Sequence, residues 1–249
     1  MKFFRAEAVV LKSGEFREAD RVLTLYSREC GKIRAASYGS ARLTSRKRGA
    51  VQPFCRSRFF LTKGKELHRV DQVELLERFP GIEDDLRRFG LASYLAELVD
   101  GFTAEEAPNR PLYDLLIEGL RLLKKGDPDL LARAFEIRLL ALSGFKQELA
   151  CCVSCRRALL PEKGLFFSPG AGGVLCPACR REHPGAAGLL PGTLYTLRRL
   201  GEGNLGRVLT LKTEPIVRQE LNRIVPEAVS FHLGYRPRAL YFFDRLVPE

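Results

Sequence analysis

Hydrophobic positions change their spacing twice along this chain. Up to about residue 79 they come in short runs suited to strands. These runs are Ala6-Glu-Ala-Val-Val-Leu11, Arg21-Val-Leu-Thr-Leu-Tyr26, Lys32-Ile-Arg-Ala-Ala-Ser-Tyr38, Pro53-Phe-Cys-Arg-Ser-Arg-Phe-Phe-Leu-Thr62 and Glu66-Leu-His-Arg-Val-Asp-Gln-Val73. Turn residues separate them at Ser13-Gly14, Cys30-Gly31, Gly39-Ser40 and Lys63-Gly64-Lys65. Five short strands in about eighty residues predict a small closed barrel of the OB type. Gly39 to Gln52 falls between the third and fourth strands, where such barrels carry a helix or a flexible loop.

From Ile82 the spacing becomes helical. Ile82, Leu86, Phe89, Leu95, Leu98 and Val99 recur at three- to four-residue steps after the break at Pro80-Gly81. A second helix is predicted from Pro111 to Gly126 and a third from Leu130 to Leu142, ending at Gly144. The pattern then lapses into a loop with a short strand at Leu165-Phe-Phe167. It returns over Pro191 to Leu200 and again from Pro215 through Val225. The fold class is therefore α+β. A barrel over 1–79 precedes a helical domain over 80–150 and 185–249, interrupted by an insertion over 151–184.

The insertion carries the clearest chemistry. Cys152-Val-Ser-Cys155 and Cys176-Pro-Ala-Cys179 are two CxxC pairs separated by twenty residues, a spacing that suits a zinc site. Four thiolates fill a tetrahedral sphere and leave no position for water or substrate, so the zinc is structural. The alternative is two disulfides. An odd total of seven cysteines, with Cys30 and Cys55 isolated, fits a reduced cytoplasm better and favours the metal. Cys151 and His183 are spare potential ligands that break the spacing.

Charge changes the picture of the barrel. The chain of 249 residues has a net charge of +11. Between Gly31 and Val70 there are eleven Lys and Arg against Glu66 alone, a net +10. A solvated face usually mixes signs, so the partner expected here is a nucleic acid rather than a membrane. Tyr38, Phe54, Phe59 and Phe60 interleave with these cations, but neighbours in a strand point to opposite faces, so most of these rings belong to the core. The cluster Arg46-Lys47-Arg48 cannot be buried and suits contact with phosphates, which supplies affinity without sequence choice.

Catalysis is not expected. His68, His183 and His232 lack a zinc-deaminase context, and there is no phosphate loop of the GxxxxGK[ST] type and no GxSxG elbow. Charge interrupts the first residues too early for a signal peptide, and no apolar run approaches a membrane span. The expected location is the cytoplasm, in association with the nucleoid.

Several segments, in order, resemble the RecO family of bacterial recombination mediators. They are Ala8-Val-Val-Leu11, Asp20-Arg-Val-Leu-Thr-Leu-Tyr26, Gly31-Lys-Ile-Arg34, Tyr38-Gly-Ser-Ala-Arg42, Ser45-Arg-Lys-Arg-Gly49 and Val51-Gln-Pro-Phe54. Further on come Pro111-Leu-Tyr-Asp-Leu-Leu116 and Phe135-Glu-Ile-Arg-Leu-Leu-Ala-Leu-Ser-Gly-Phe145. Two departures flank the cysteine module: the family's usual proline is missing at Lys146-Gln147, and the glycine that often follows CxxC is Arg156. The resemblance implies binding of single- and double-stranded DNA, annealing of complementary strands, and loading of RecA. It also implies RecR as a partner and, in many members, the single-strand-binding protein, with no catalytic residues. Arg34, Arg42, Arg46, Lys47, Arg48, Arg56 and Arg58 are the DNA contacts it suggests in the barrel. A different class of function, a zinc-stapled adaptor for RNA or the ribosome, is compatible with the same charge and fold. A metal-dependent nuclease is a weaker third.

Overall fold

A computed structural model of the chain describes residues 2–160 and 162–240. Five strands, β1 (Phe3–Arg17), β2 (Asp20–Ser27), β3 (Gly31–Ser37), β4 (Arg56–Thr62) and β5 (His68–Glu77), close a barrel in the order β1-β2-β3-β5-β4. Only β3 and β5 pair in parallel, through Ala35–His68 and Ala36–Arg69. That closure is the OB arrangement expected from the sequence. The long strand β1 borders both neighbours, pairing with β4 through Phe3 to Val9 and with β2 through Ala8 to Arg17. Register shifts at Val10/Lys12 and Glu15/Arg17 bend it enough to do so.

Alternation decides what fills the barrel. Ala6, Ala8, Val10, Leu23, Leu25, Ile33, Phe59 and Leu61 point inward. Small faces large where strands pair, as Ala6 does with Phe59. Each fully buried Leu or Phe contributes about 1.5–3 kcal/mol. Phe59 is buried in the core while Phe60 lies half-buried on the outer face, as the two-residue period requires.

The segment before β4 is neither a regular α-helix nor a loose loop. A single 3-10 turn, Arg48–Val51, carries Val51 into the barrel core. Ser57 Oγ donates to the Ala50 carbonyl at 2.8 Å, and Phe54 is buried edge-on against Phe89. The expected flexible loop is thus pinned by its own apolar residues.

Contacts divide the chain into two compact units. The first runs to Lys124, with the segment from Ala239; the second is Lys125–Arg238. The first unit adds two helices to the barrel, α1 (Leu86–Phe102) and α2 (Arg110–Leu122). Asp85 and Asn109 cap them by accepting from the amides of Arg88 and Leu112. Helix α1 starts four residues later than Ile82. Leu86 and Phe89 are exposed, and the buried face runs through Leu91, Leu95 and Leu98 instead.

The second unit holds α3 (Pro128–Leu142), α4 (Pro191–Gly201) and α5 (Pro215–Leu233). Every residue from Leu130 to Leu140 is buried, so α3 is the centre of this unit. Its charges are matched there. Arg133 pairs with Glu136 at 2.9 Å, and Arg138 donates to the carbonyls of Leu200, Glu202, Gly203 and Asn204 at the end of α4. Between α3 and α4 lies a small antiparallel sheet ordered β7-β6-β8, from β6 (Leu165–Ser168), β7 (Gly173–Leu175) and β8 (Ala187–Leu189). No helix among the described residues is long and apolar enough to cross a membrane.

Candidate nucleic-acid interface and metal centre

The barrel presents its cations unequally. Arg34 projects from the outer face of β3, between inward-facing Ile33 and Ala35, and is exposed. Arg42 and Arg46 are exposed on the segment before the 3-10 turn, and Arg48 is half-buried at its start. None of these four forms an ion pair among the described residues. Lys63 and Lys65 join them as exposed cations at the β4–β5 turn.

The other three residues suggested as contacts are engaged within the first unit. Lys47 Nζ donates to the Val70 carbonyl at 2.9 Å, and burial pushes its pKa down. Arg58 pairs with Glu74 at 2.8 Å across β4 and β5. Arg56 lies between Glu7 and Glu77, at 2.6 and 3.0 Å. Burial raises the Glu7 carboxyl pKa, yet the hydrogen bonds and charge of Arg56 hold it below the ordinary value. Arg121 and then Arg56 do the same for Glu77. Sequence reasoning missed these partners because Glu7, Glu74 and Glu77 lie outside the basic segment and reach it only through strand pairing.

Of the four rings that interleave with the cations, two reach the surface. Tyr38, just after β3, is 47% exposed. Phe60 is half-buried with the Arg5 guanidinium 4.8 Å above its centroid. Arg5 was not among the suggested residues. The signal that finds it is the β1–β4 register, which sets Arg5 opposite Phe60.

In the second unit the four cysteines of the two CxxC pairs converge. The sulfurs of Cys152, Cys155, Cys176 and Cys179 all lie within 4.8 Å of one another. Cys155 and Cys176 are 3.8 Å apart, which matches the edge of about 3.8 Å that a tetrahedron with metal–sulfur bonds of about 2.3 Å requires. All seven cysteines are free, so the sulfurs are not spent in disulfides. Local backbone geometry builds each knuckle. The Arg156 amide donates to the Cys152 carbonyl at 2.9 Å, and the Cys176 amide points at Cys152 Sγ at 3.4 Å. Burial of the Cys152 thiol is outweighed by the amides of Cys155, Cys176 and Ser154, which bring its pKa down to about 6. Such a donor set can hold one borderline-soft divalent ion. Cys151 and His183 stand outside this group.

Comparison with known proteins agrees with this architecture. The family model described as "Recombination protein O N terminal" matches residues 1–79, and "Recombination protein O C terminal" matches residues 83–240. A protein named DNA repair protein RecO from Desulforudis audaxviator is 42% identical over 247 residues, covering 99% of this chain and 98% of its own. Its namesake from Pelotomaculum thermopropionicum is 42% identical over 98% of this chain and 95% of its own, and that from Desulforamulus reducens is 38% identical over 99% and 96%. With both halves matched in order and relatives this similar along nearly the whole length, the chain belongs to the RecO family of DNA repair proteins.

Proposed function

We propose that this chain is a non-enzymatic recombination mediator that holds DNA on its barrel. It binds single and double strands, anneals complementary strands, and works with RecR to load RecA onto strands coated by the single-strand-binding protein. The observation that carries the reading is the set Arg34, Arg42, Arg46 and Arg48, which stand on an OB-type barrel without acidic partners among the described residues. Arg58 contributes from the edge of that set, while Arg56 and Lys47 serve the barrel's own stability.

Physical chemistry gives this arrangement a mechanism. OB barrels take single strands by pairing an electrostatic surface with stacking platforms, for which Tyr38 and Phe60 are the candidates. The cations neutralise phosphates and release counterions, so affinity comes without base choice. Cations that screen two backbones also lower the repulsion between strands, which favours annealing. The cysteine module holds Zn²⁺ as a structural ion, and the protein acts in the cytoplasm at the nucleoid.

The test is affinity for single-stranded DNA and RNA across a salt series, together with annealing of complementary DNA strands. The expected result is a linear fall of log affinity with log salt, about 0.7 for each phosphate neutralised on a single strand, and faster annealing. Salt-indifferent binding or no annealing overturns the reading. A strong RNA preference points to the adaptor function instead.

A further inference from the structure

We propose that the cysteine module carries a nucleic-acid site of its own, able to hold a second strand. This rests on the DNA-binding reading above and extends it to Lys125–Arg238. The starting observation is the charge of the two units. The first unit, residues 1–124 with 239–249, holds 24 Lys and Arg against 20 Asp and Glu, a net +4, despite the basic segment on the barrel. Residues 125–238 hold 17 against 10, a net +7. The second unit is therefore the more basic one.

Residues 151–184 around the cage carry a net +3 of that excess. Arg156 and Arg157 follow Cys155 directly, and Arg180 and Arg181 follow Cys179. The four sulfurs lie within 4.8 Å of one another, so the backbone of all four arginines leaves from beside the cage. Arg156 and Arg181 are exposed and form no ion pair among the described residues. Arg180 lies 5.2 Å over the Phe166 ring, which orients the guanidinium while leaving its edge free to donate. Arg157 pairs with Glu162 at 3.0 Å in an exposed bridge that a phosphate can displace.

Arg156 supplies an independent argument. Its φ is +63°, in the left-handed region that glycine occupies without cost and other L residues do not. The knuckle would form more easily with glycine at this position. An arginine kept in a strained conformation, with its guanidinium in solvent, points to a role for the side chain outside the fold. The competing explanation is that these cations offset the negative cage. Glycine at position 156 separates the two, since it relieves the backbone while removing the charge.

The partner is a phosphate backbone, recognised by fork-shaped donors rather than by base edges. The experiment titrates the full-length protein with a non-complementary oligothymidine of about ten nucleotides, within the range of one OB barrel. Native mass spectrometry reads strands per chain and bound metal together. The unmodified protein is expected to take two strands per chain. The variant Arg156→Gly with Arg181→Gln should take one, with metal content unchanged and melting temperature equal or higher.

One strand on the unmodified protein, or two on that variant, overturns the proposal. No bound strand at all overturns the barrel reading instead. Should the variant lose its metal, Arg180→Gln with Arg181→Gln provides the second test. Arg181 is exposed, Arg180 is half-buried over Phe166, and neither is a cage ligand. Two strands retained on that variant sink the proposal.

Discussion

Arg56 donates twice to one oxygen of Glu7, from Nε at 3.0 Å and from Nη2 at 2.6 Å. The same oxygen accepts from the Tyr113 hydroxyl of α2 at 3.1 Å, and Arg56 Nη1 reaches Glu77 at 3.0 Å. One guanidinium therefore ties β1, β5 and, through Glu7, α2 to β4. Replacing Arg56 with alanine leaves two half-buried carboxylates short of a donor. We expect a loss of about 2 kcal/mol of stability, read from urea unfolding, with DNA affinity little changed. A large fall in single-strand affinity for a stably folded Arg56→Ala protein would show that this arginine faces DNA after all.

The same network sets an acid limit. Glu7 and Glu77 both titrate below the ordinary carboxylate value of 4.5 in the folded state. The unfolded chain then binds protons at a higher pH than the folded one. Their contribution is complete above about pH 4.5 and is lost as pH falls through their depressed folded values. The stability of Arg56→Ala should accordingly depend less on pH in that acid range than that of the unmodified protein. Parallel acid limbs for the two proteins would exclude the network as the cause.

Adjacent residues of the basic cluster should behave differently. Arg46 is exposed, whereas Lys47 is fastened to the Val70 carbonyl of β5. Arg46→Ala should lower single-strand affinity at moderate salt and reduce the salt slope by about 0.7, the value of one phosphate contact on a single strand. Lys47→Ala should instead speed hydrogen exchange in the segment around the 3-10 turn. Identical salt slopes for Arg46→Ala and the unmodified protein would remove Arg46 from the interface.

What could be read from the sequence was what is local. Three of the four turn signals fall between strands, and each CxxC knuckle needs only three consecutive steps, so most of the barrel and the four converging sulfurs were legible. Phase and pairing were not. The turn expected at Ser13-Gly14 is instead paired strand within β1, which runs on to Arg17. Ile82 fits the helical spacing but precedes the Asp85 cap, so the stripe assigned to α1 placed exposed Leu86 and Phe89 in the core. The helical period is followed only through Val225, yet α5 continues past Pro226 to Leu233, with the Ser230 hydroxyl donating to the Pro226 carbonyl. The charge count failed to find Glu7, Glu74 and Glu77 because β1 and β5 meet β4 only in three dimensions.

The cage should be separable from the barrel in its effects. Replacing Cys176 and Cys179 with serine removes two of four ligands, and metal binding of this type is coupled to folding. We expect loss of bound metal and rapid proteolysis between residues 151 and 184. The barrel's single-strand affinity should persist. Metal retained at full stoichiometry in the double variant would show that the ion sits elsewhere.

Gly31 opens β3 at a place that admits no side chain. Its φ is +71°, and a Cβ there would come within 2.4 Å of both the carbonyl carbon and the oxygen of Ala107. Strand β3 is docked at this point on the chain between α1 and α2, where the Glu106 amide donates to the Lys32 carbonyl at 2.9 Å. Alanine adds a left-handed penalty of about 1–2 kcal/mol to an overpacking cost of about 1–3 kcal/mol. Gly31→Ala should therefore lose roughly 2–5 kcal/mol by the sum of those terms. Gly14 in β1 serves as the control, since its nearest obstacle is a Val22 methyl at 3.8 Å and its backbone lies outside the left-handed region. Gly14→Ala should change stability by less than about 1 kcal/mol. Equal losses for the two variants, measured by urea unfolding, would mean that β3 does not rest on Ala107.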